Sequence, residues 1–225
     1  MWRNQIKITW RNLFKYPVYS TLNLGGLAIG IAASFVLLLY VFHESNYDRS
    51  FPDADRTYRV ATDFFNMGGF ANSQPQLSYF LGTESEVVEH ATSLDRAYQQ
   101  VPFRVRSNDF SEADVFYIDS SFFEVLPFAI REGYIPGGGL APNEAILSRQ
   151  AAEKFFGNES VIGNVIEAGK ERKRYQVVAV LDRYDFKTHI NPNILLPQER
   201  EGELQTNWSS ANAYNYVKLK PGATE

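Results

Sequence analysis

From Tyr16 through His43 the chain carries no Asp, Glu, Lys or Arg. Within that stretch Leu22 to Phe42, LNLGGLAIGIAASFVLLLYVF, is a 21-residue run with no charge. At about 1.5 Å rise per residue it makes roughly 31 Å of helix, the thickness of a bilayer's hydrocarbon core. A buried helix of a soluble protein seldom runs so far without a charge, so the stretch reads as a membrane helix over residues 18–43. A cleaved signal peptide is the competing reading, because Ala32, Ala33 and Ser34 are small residues at which an apolar region could end. Cleavage there would leave FVLLLYVF as an apolar stub, and the tail before the run is long for such a peptide.

The flanks give a direction. Arg3, Lys7, Arg11 and Lys15 precede the helix with no acid among them, whereas His43, Glu44 and Asp48 follow it. The positive-inside rule then places Met1 in the cytoplasm and Glu44 onward outside. Residues 1–17 have a pattern of their own. Trp2, Ile6, Trp10, Leu13 and Phe14 recur at helical spacing on one side, and the four cations recur every four residues on a neighbouring side. This predicts an amphipathic helix lying in the cytoplasmic interface, anchored by Trp2, Arg3, Lys7, Trp10, Arg11 and Lys15, which Pro17 ends. The plainer alternative, that the cations only set topology, is compatible with it. Inside the membrane segment Gly26, Gly30 and Ser34 repeat every four residues, with Asn23 near the same stripe. Small residues so spaced let a second helix approach closely, and Asn can hydrogen-bond across the contact.

The body after the helix is different. Of the chain's 22 basic and 26 acidic residues only four, all basic, lie before His43, so the rest carries a formal charge of −8. A body of that sign argues against nucleic acid as a partner. Cysteine is absent, which excludes disulfides, thiolate metal sites and a Cys nucleophile.

Alternation and turn chemistry predict strands at Thr57–Thr62, Ala97–Arg106, Asp114–Ile118, Asn164–Ala168, Arg174–Asp182 and Tyr214–Lys220. Helices are expected at Gln76–Leu81, Glu84–Thr92 and around Phe122–Leu126, the last capped by Ser120 or Ser121. Another helix begins at Ser148, buries Ala151, Ala152, Phe155 and Phe156, and closes at a left-handed Gly157. Phe64–Ser73 and the run GYIPGGGLAPNE read as loops. The irregular mixture implies an α+β fold, with residues 44–225 forming one domain. The chain stops just after a strand without a closing element, so that domain is expected to be incomplete.

No constellation in the body points to catalysis. His43, His90 and His189 lack metal-ligand spacing, and Gly137-Gly138-Gly139 lacks the residues that complete a phosphate loop. Asp182 and Asp185 are an acidic pair of the kind strand ends carry routinely. Asn158-Glu159-Ser160 and Asn207-Trp208-Ser209 fit a glycosylation pattern that matters only in a eukaryotic protein. No cofactor, metal or catalytic residue is expected.

The order of these pieces resembles the N-terminal part of bacterial ABC-transporter permeases of the MacB/FtsX type, over nearly the whole chain. Arg11-Asn12-Leu13, Asn23-Leu24 and Gly26-Leu27-Ala28-Ile29-Gly30 are similar to the start of that family's first membrane helix. Glu44, Tyr47-Asp48, Phe51 and Ala54 through Val60 resemble its passage into the periplasmic domain. Asp119 through Phe123, Ala151 through Gly157, Ile162-Gly163 and Tyr175 to Val180 look like its later signatures. The family continues into further membrane helices and a loop that contacts an ATPase, which this sequence lacks. The resemblance implies a non-catalytic inner-membrane subunit that passes ATP-driven motion to a periplasmic domain. Its implied partners are a separate cytoplasmic ABC ATPase, further permease helices or a second permease copy in a dimer, and periplasmic proteins. A single-pass sensor with a ligand-binding outer domain and a membrane-tethered enzyme are the competing classes.

Overall fold

The computed structural model describes residues 2–45, 51–63, 68–135, 137, 139–182, 188–198, 208 and 211–223. The chain divides into two units, Met1–Tyr47 and Asp48–Glu225.

The first unit is two helices, α1 (Trp2–Lys15) and α2 (Pro17–Glu44). Proline ends α1 because its ring clashes with the preceding turn, and it suits the first position of α2, where an N–H would have no partner. The backbone N–H of Ser20 donates to the Tyr16 carbonyl at 3.0 Å, which starts the α2 ladder. None of α2's side chains is buried. It is the candidate membrane-spanning helix among the described residues.

The second unit is built on a mixed sheet. In chain order its elements are β1 (Thr57–Val60), β2 (Thr62–Asp63), β3 (Gly69–Phe70), α3 (Gln76–Glu84), β4 (Val88–Arg96), β5 (Val101–Val105), β6 (Asn108–Glu112) and β7 (Val115–Ile118). There follow α4 (Phe122–Val125), β8 (Ile130–Gly133), β9 (Glu144–Ser148), α5 (Arg149–Phe156), β10 (Val165–Ala168), β11 (Lys173–Leu181), β12 (Ile194–Pro197) and β13 (Ala213–Leu219). The strand order is β1-β13-β4-β7-β12-β9-β11-β10-β5-β6, with β8 also on β11, while β2 and β3 pair separately. Only β9–β11 and β7–β12 are parallel pairs among the described strands. The fold is α+β.

Alternation along β7 shows how the sheet feeds two cores. Val115 and Tyr117 pack with Phe155 and Phe156 of α5, whereas Phe116 and Ile118 pack with Phe122 and Val125 of α4. Leu81 of α3 covers a smaller cluster of Val88, Ala91, Val217 and Leu219. The α5 expectation is met where the Ser148 Oγ accepts from the Ala151 N–H at 3.0 Å. Gly157 has φ 63° but ψ −120°, so it uses glycine's freedom outside the left-handed helical region.

Several expectations are corrected. Glu84–Thr92 is not a helix; Val88–Arg96 is strand β4, between β13 and β7. Both of its faces are covered, so its side chains show no polar alternation to mark a strand. Strands β6, β8, β9 and β12 show no regular alternation of buried and exposed side chains to mark them, and β5 begins at Val101 rather than Ala97. Within the expected loop from Phe64 to Ser73, Gly69–Phe70 pairs with Thr62–Asp63, and residues 64–67 lie outside the described ones. Ser121 occupies the cap position of α4 without a side-chain bond; its N–H donates instead to Asp119 Oδ1 at 3.1 Å.

Candidate coupling site

The residues that tie the first turn of the second unit to its sheet are held by a short strained approach. Asp53 sits at φ 61°, a left-handed conformation that Asp tolerates, and opens a single turn of 3-10 helix over Ala54–Arg56. That turn sends Phe51 one way and Arg56 the other. Phe51, 6% exposed, enters the core under α4 and meets Phe128 edge-on at 5.1 Å. Phe128 in turn stacks on the fully buried Phe122 at 5.6 Å.

Arg56 forms a clamp across three elements. Its Nε donates to Asp53 Oδ1 at 3.0 Å, and its Nη1 donates to the Leu219 carbonyl of β13 at 2.7 Å and to Glu89 of β4. Lys218 of β13 adds an ion pair to Asp53 Oδ2 at 2.8 Å. The Arg56 guanidinium, followed by Lys218, holds the Asp53 carboxyl below its ordinary range, and Arg56 does the same for Glu89. The strand register explains why these groups meet. Strands β1 and β13 pair antiparallel with Thr57 opposite Lys218, so the start of β1 lies beside the end of β13.

A second tie lies behind it. Asp119, at the end of β7, accepts from Thr92 Oγ1 at 2.6 Å and from the Ser93 N–H at 2.7 Å, both on β4. Burial pushes its carboxyl up to about 6 against these bonds. Gly139 (φ 89°) packs on the next residue: a Cβ there would lie 2.5 Å from the Ser120 Cα. A side chain at Gly139 would therefore displace the backbone at Ser120, whereas a Cβ at Gly137 would meet nothing within 4 Å. His90 Nδ1 contacts Glu124 Oε2 at 2.9 Å, joining β4 to α4.

The residues expected to act in the membrane lie in the first unit. Asn23, Gly26, Gly30 and Ser34 are all on α2, and a Cβ at Gly26 or Gly30 would meet nothing within 4 Å. The Ser34 hydroxyl donates to the Gly30 carbonyl at 2.8 Å, so its polarity is satisfied within the helix. Trp2, Lys7, Trp10, Arg11 and Lys15 are exposed on α1, with Trp10 and Phe14 in contact at 5.7 Å. The side chain of Arg3, like Asp185, lies outside the described residues. Among the described residues no cluster of His, Asp or Glu has the form of a metal site. Sequence reasoning did not join Phe51 to Arg56, and the signal it had was that both lie in the short link of residues 46–56 between the apolar helix and β1.

The profile of the MacB-like periplasmic core domain matches residues 20–225, from within the apolar helix to the last residue. The chain belongs to this family. MacB-like core domains are parts of transporter permeases. The fold agrees with a domain of a protein described as a permease from Porphyromonas gingivalis: 20% identity, 78% of this chain and 80% of that one covered, TM-score 0.65. It also agrees with the periplasmic region of MacB from Actinobacillus actinomycetemcomitans: 13% identity, 75% and 76% covered, TM-score 0.54. No curated protein sequence matches the chain significantly.

Proposed function

We propose that this MacB-like chain is the N-terminal part of an ABC-transporter permease subunit. In this reading it couples ATP hydrolysis by a separate cytoplasmic chain to motion of a periplasmic domain. α1 lies in the cytoplasmic interface through Trp2, Trp10 and its cations, α2 crosses the inner membrane, and residues 44–225 are periplasmic. The stripe of Asn23, Gly26, Gly30 and Ser34 packs against further permease helices or a second copy. The chain itself is non-catalytic.

One observation carries the reading. Strand β1, the first of the second unit, is paired to β13 and locked to it by Arg56 on Leu219 and Lys218 on Asp53. A displacement of the link therefore loads β1, β13 and β4 together, with Phe51 carrying it into the core under α4. Inserting a flexible Gly/Ser segment between Glu44 and Phe51 slackens that path without touching the clamp. In the assembled transporter the insert is expected to leave ATP hydrolysis intact and abolish the periplasmic event that it drives. Full activity with the insert rules out transmission through the link.

A further inference from the structure

Two clefts of about 290 and 330 Å³ lie side by side and share Arg96 and Tyr214 as a common wall. Register places the key groups on one face of the sheet. Arg59 of β1 is opposite Tyr216 of β13, Tyr214 is opposite Leu94, and Arg96 of β4 is opposite Phe116. Tyr214 and Tyr216 thus share a sheet face with two guanidinium groups that come from different strands.

The charge there runs against that of the surrounding body. The residues after the apolar helix total −8, yet the wall of the larger cleft carries Arg59, Arg96 and His189 against Asp114 alone. Arg96 Nη2 contacts Asp114 Oδ1 at 2.5 Å, which neutralises one guanidinium. The Arg59 side chain is exposed and makes no ion pair or hydrogen bond among the described residues, the backbone pairing with β13 aside. At the far end of the smaller cleft the Tyr98 hydroxyl donates to the Asn212 carbonyl at 3.4 Å, and the ring is 77% exposed. One uncompensated, forked cation at one end and an open aromatic face at the other favour an extended ligand with both a carboxylate and an apolar side chain. A compact inorganic anion would use only the Arg59 end. A nucleic acid needs many cations on one face, and the wall supplies a single excess charge.

We propose that this pair of clefts binds an acidic peptide segment, one carboxylate on Arg59 and a neighbouring side chain against Tyr214 and Tyr98. The proposal stands apart from ATPase coupling, because binding here requires no motion of the membrane link. The test uses the full chain in phosphatidylcholine nanodiscs, titrated by fluorescence anisotropy with neutral-dye-labelled acetyl-Glu-Tyr-Glu-Leu-amide and with acetyl-Gln-Tyr-Gln-Leu-amide carrying the same dye. Saturable binding of the acidic peptide is expected, about tenfold weaker for the glutamine peptide and about tenfold weaker in Arg59→Gln, since each change removes a charge-assisted contact. Arg59 supports no neighbouring group, so that variant keeps the fold; Tyr98→Ala, at an exposed ring, is expected to weaken both peptides alike. Equal binding of the two peptides, absence of saturable binding, or wild-type affinity in Arg59→Gln overturns the proposal.

Discussion

Two residues, Phe51 and Asp119, hold the candidate coupling site by different physics. Phe51 fixes the approach to β1 through buried area, so Phe51→Ala leaves a cavity beside Phe128 and Phe122. Its cost is about 3 kcal/mol, read as a lowered urea midpoint of the detergent-solubilised chain. The ring's anchoring role predicts a larger effect than truncation of a core residue away from the link would have on coupling. Asp119 acts through its charge. Burial lifts its carboxyl to about 6 in the folded chain, above its ordinary value of 3.8. A raised folded value means that the folded state binds the proton more tightly. The stability this contributes is therefore fully present below about pH 4 and is lost as pH rises through about 6. A shift of about two units corresponds to about 3 kcal/mol across that window. Asp119→Asn is expected to flatten this part of the stability–pH curve, measured by denaturant titration at successive pH values. Asp53 and Glu89 have the opposite sign: their lowered values contribute stability above the ordinary carboxylate range that is lost on further acidification.

Among the elements, legibility tracked how local the forces are. Helix α5 was readable because its cap, its apolar face and its closing glycine all lie within ten residues, and the structure keeps the Ser148 bond to Ala151. Ser148→Ala is expected to lower stability by about 1 kcal/mol, with the loss confined to faster exchange of the amides of α5's first turn. Strand β4 was misread because it is a central strand, paired on one edge with the sequence-distant β13 and on the other with β7. Its Glu89, His90 and Ala91 favour a helix when considered alone, and pairing in the sheet overrides that preference. Strand β12 hides for a related reason: ILLP is short, buried throughout and ends in proline, so it shows neither polar alternation nor a good strand former at its end. The candidate coupling site was half legible. Phe51 and Ala54 through Val60 were marked by the family resemblance, but Glu89 and the Leu219 carbonyl become partners of Arg56 only through β-pairing across the whole domain.

At the scale of the molecule the two units answer to different solvents. The exposed apolar side chains of α2 are a liability in water and a match for lipid, while the acidic second unit keeps its apolar residues in three clusters. The orientation read from the flanking charges predicts that a reporter active only in the periplasm, fused after Asn46, is active in cells. An inactive fusion there, with a cytoplasm-specific reporter active at the same point, reverses the topology. The sequence by itself determined the long uncharged apolar helix, the periodic cations and aromatic residues before it and the acidic character of the body, because charge and hydropathy act on a residue through its solvent and its near neighbours in the chain. The tertiary structure alone decided which strands are central and that β1 closes on β13. It also decided that Arg56, Glu89, Lys218 and Asp53 form one clamp, because such contacts depend on segments that only folding brings together.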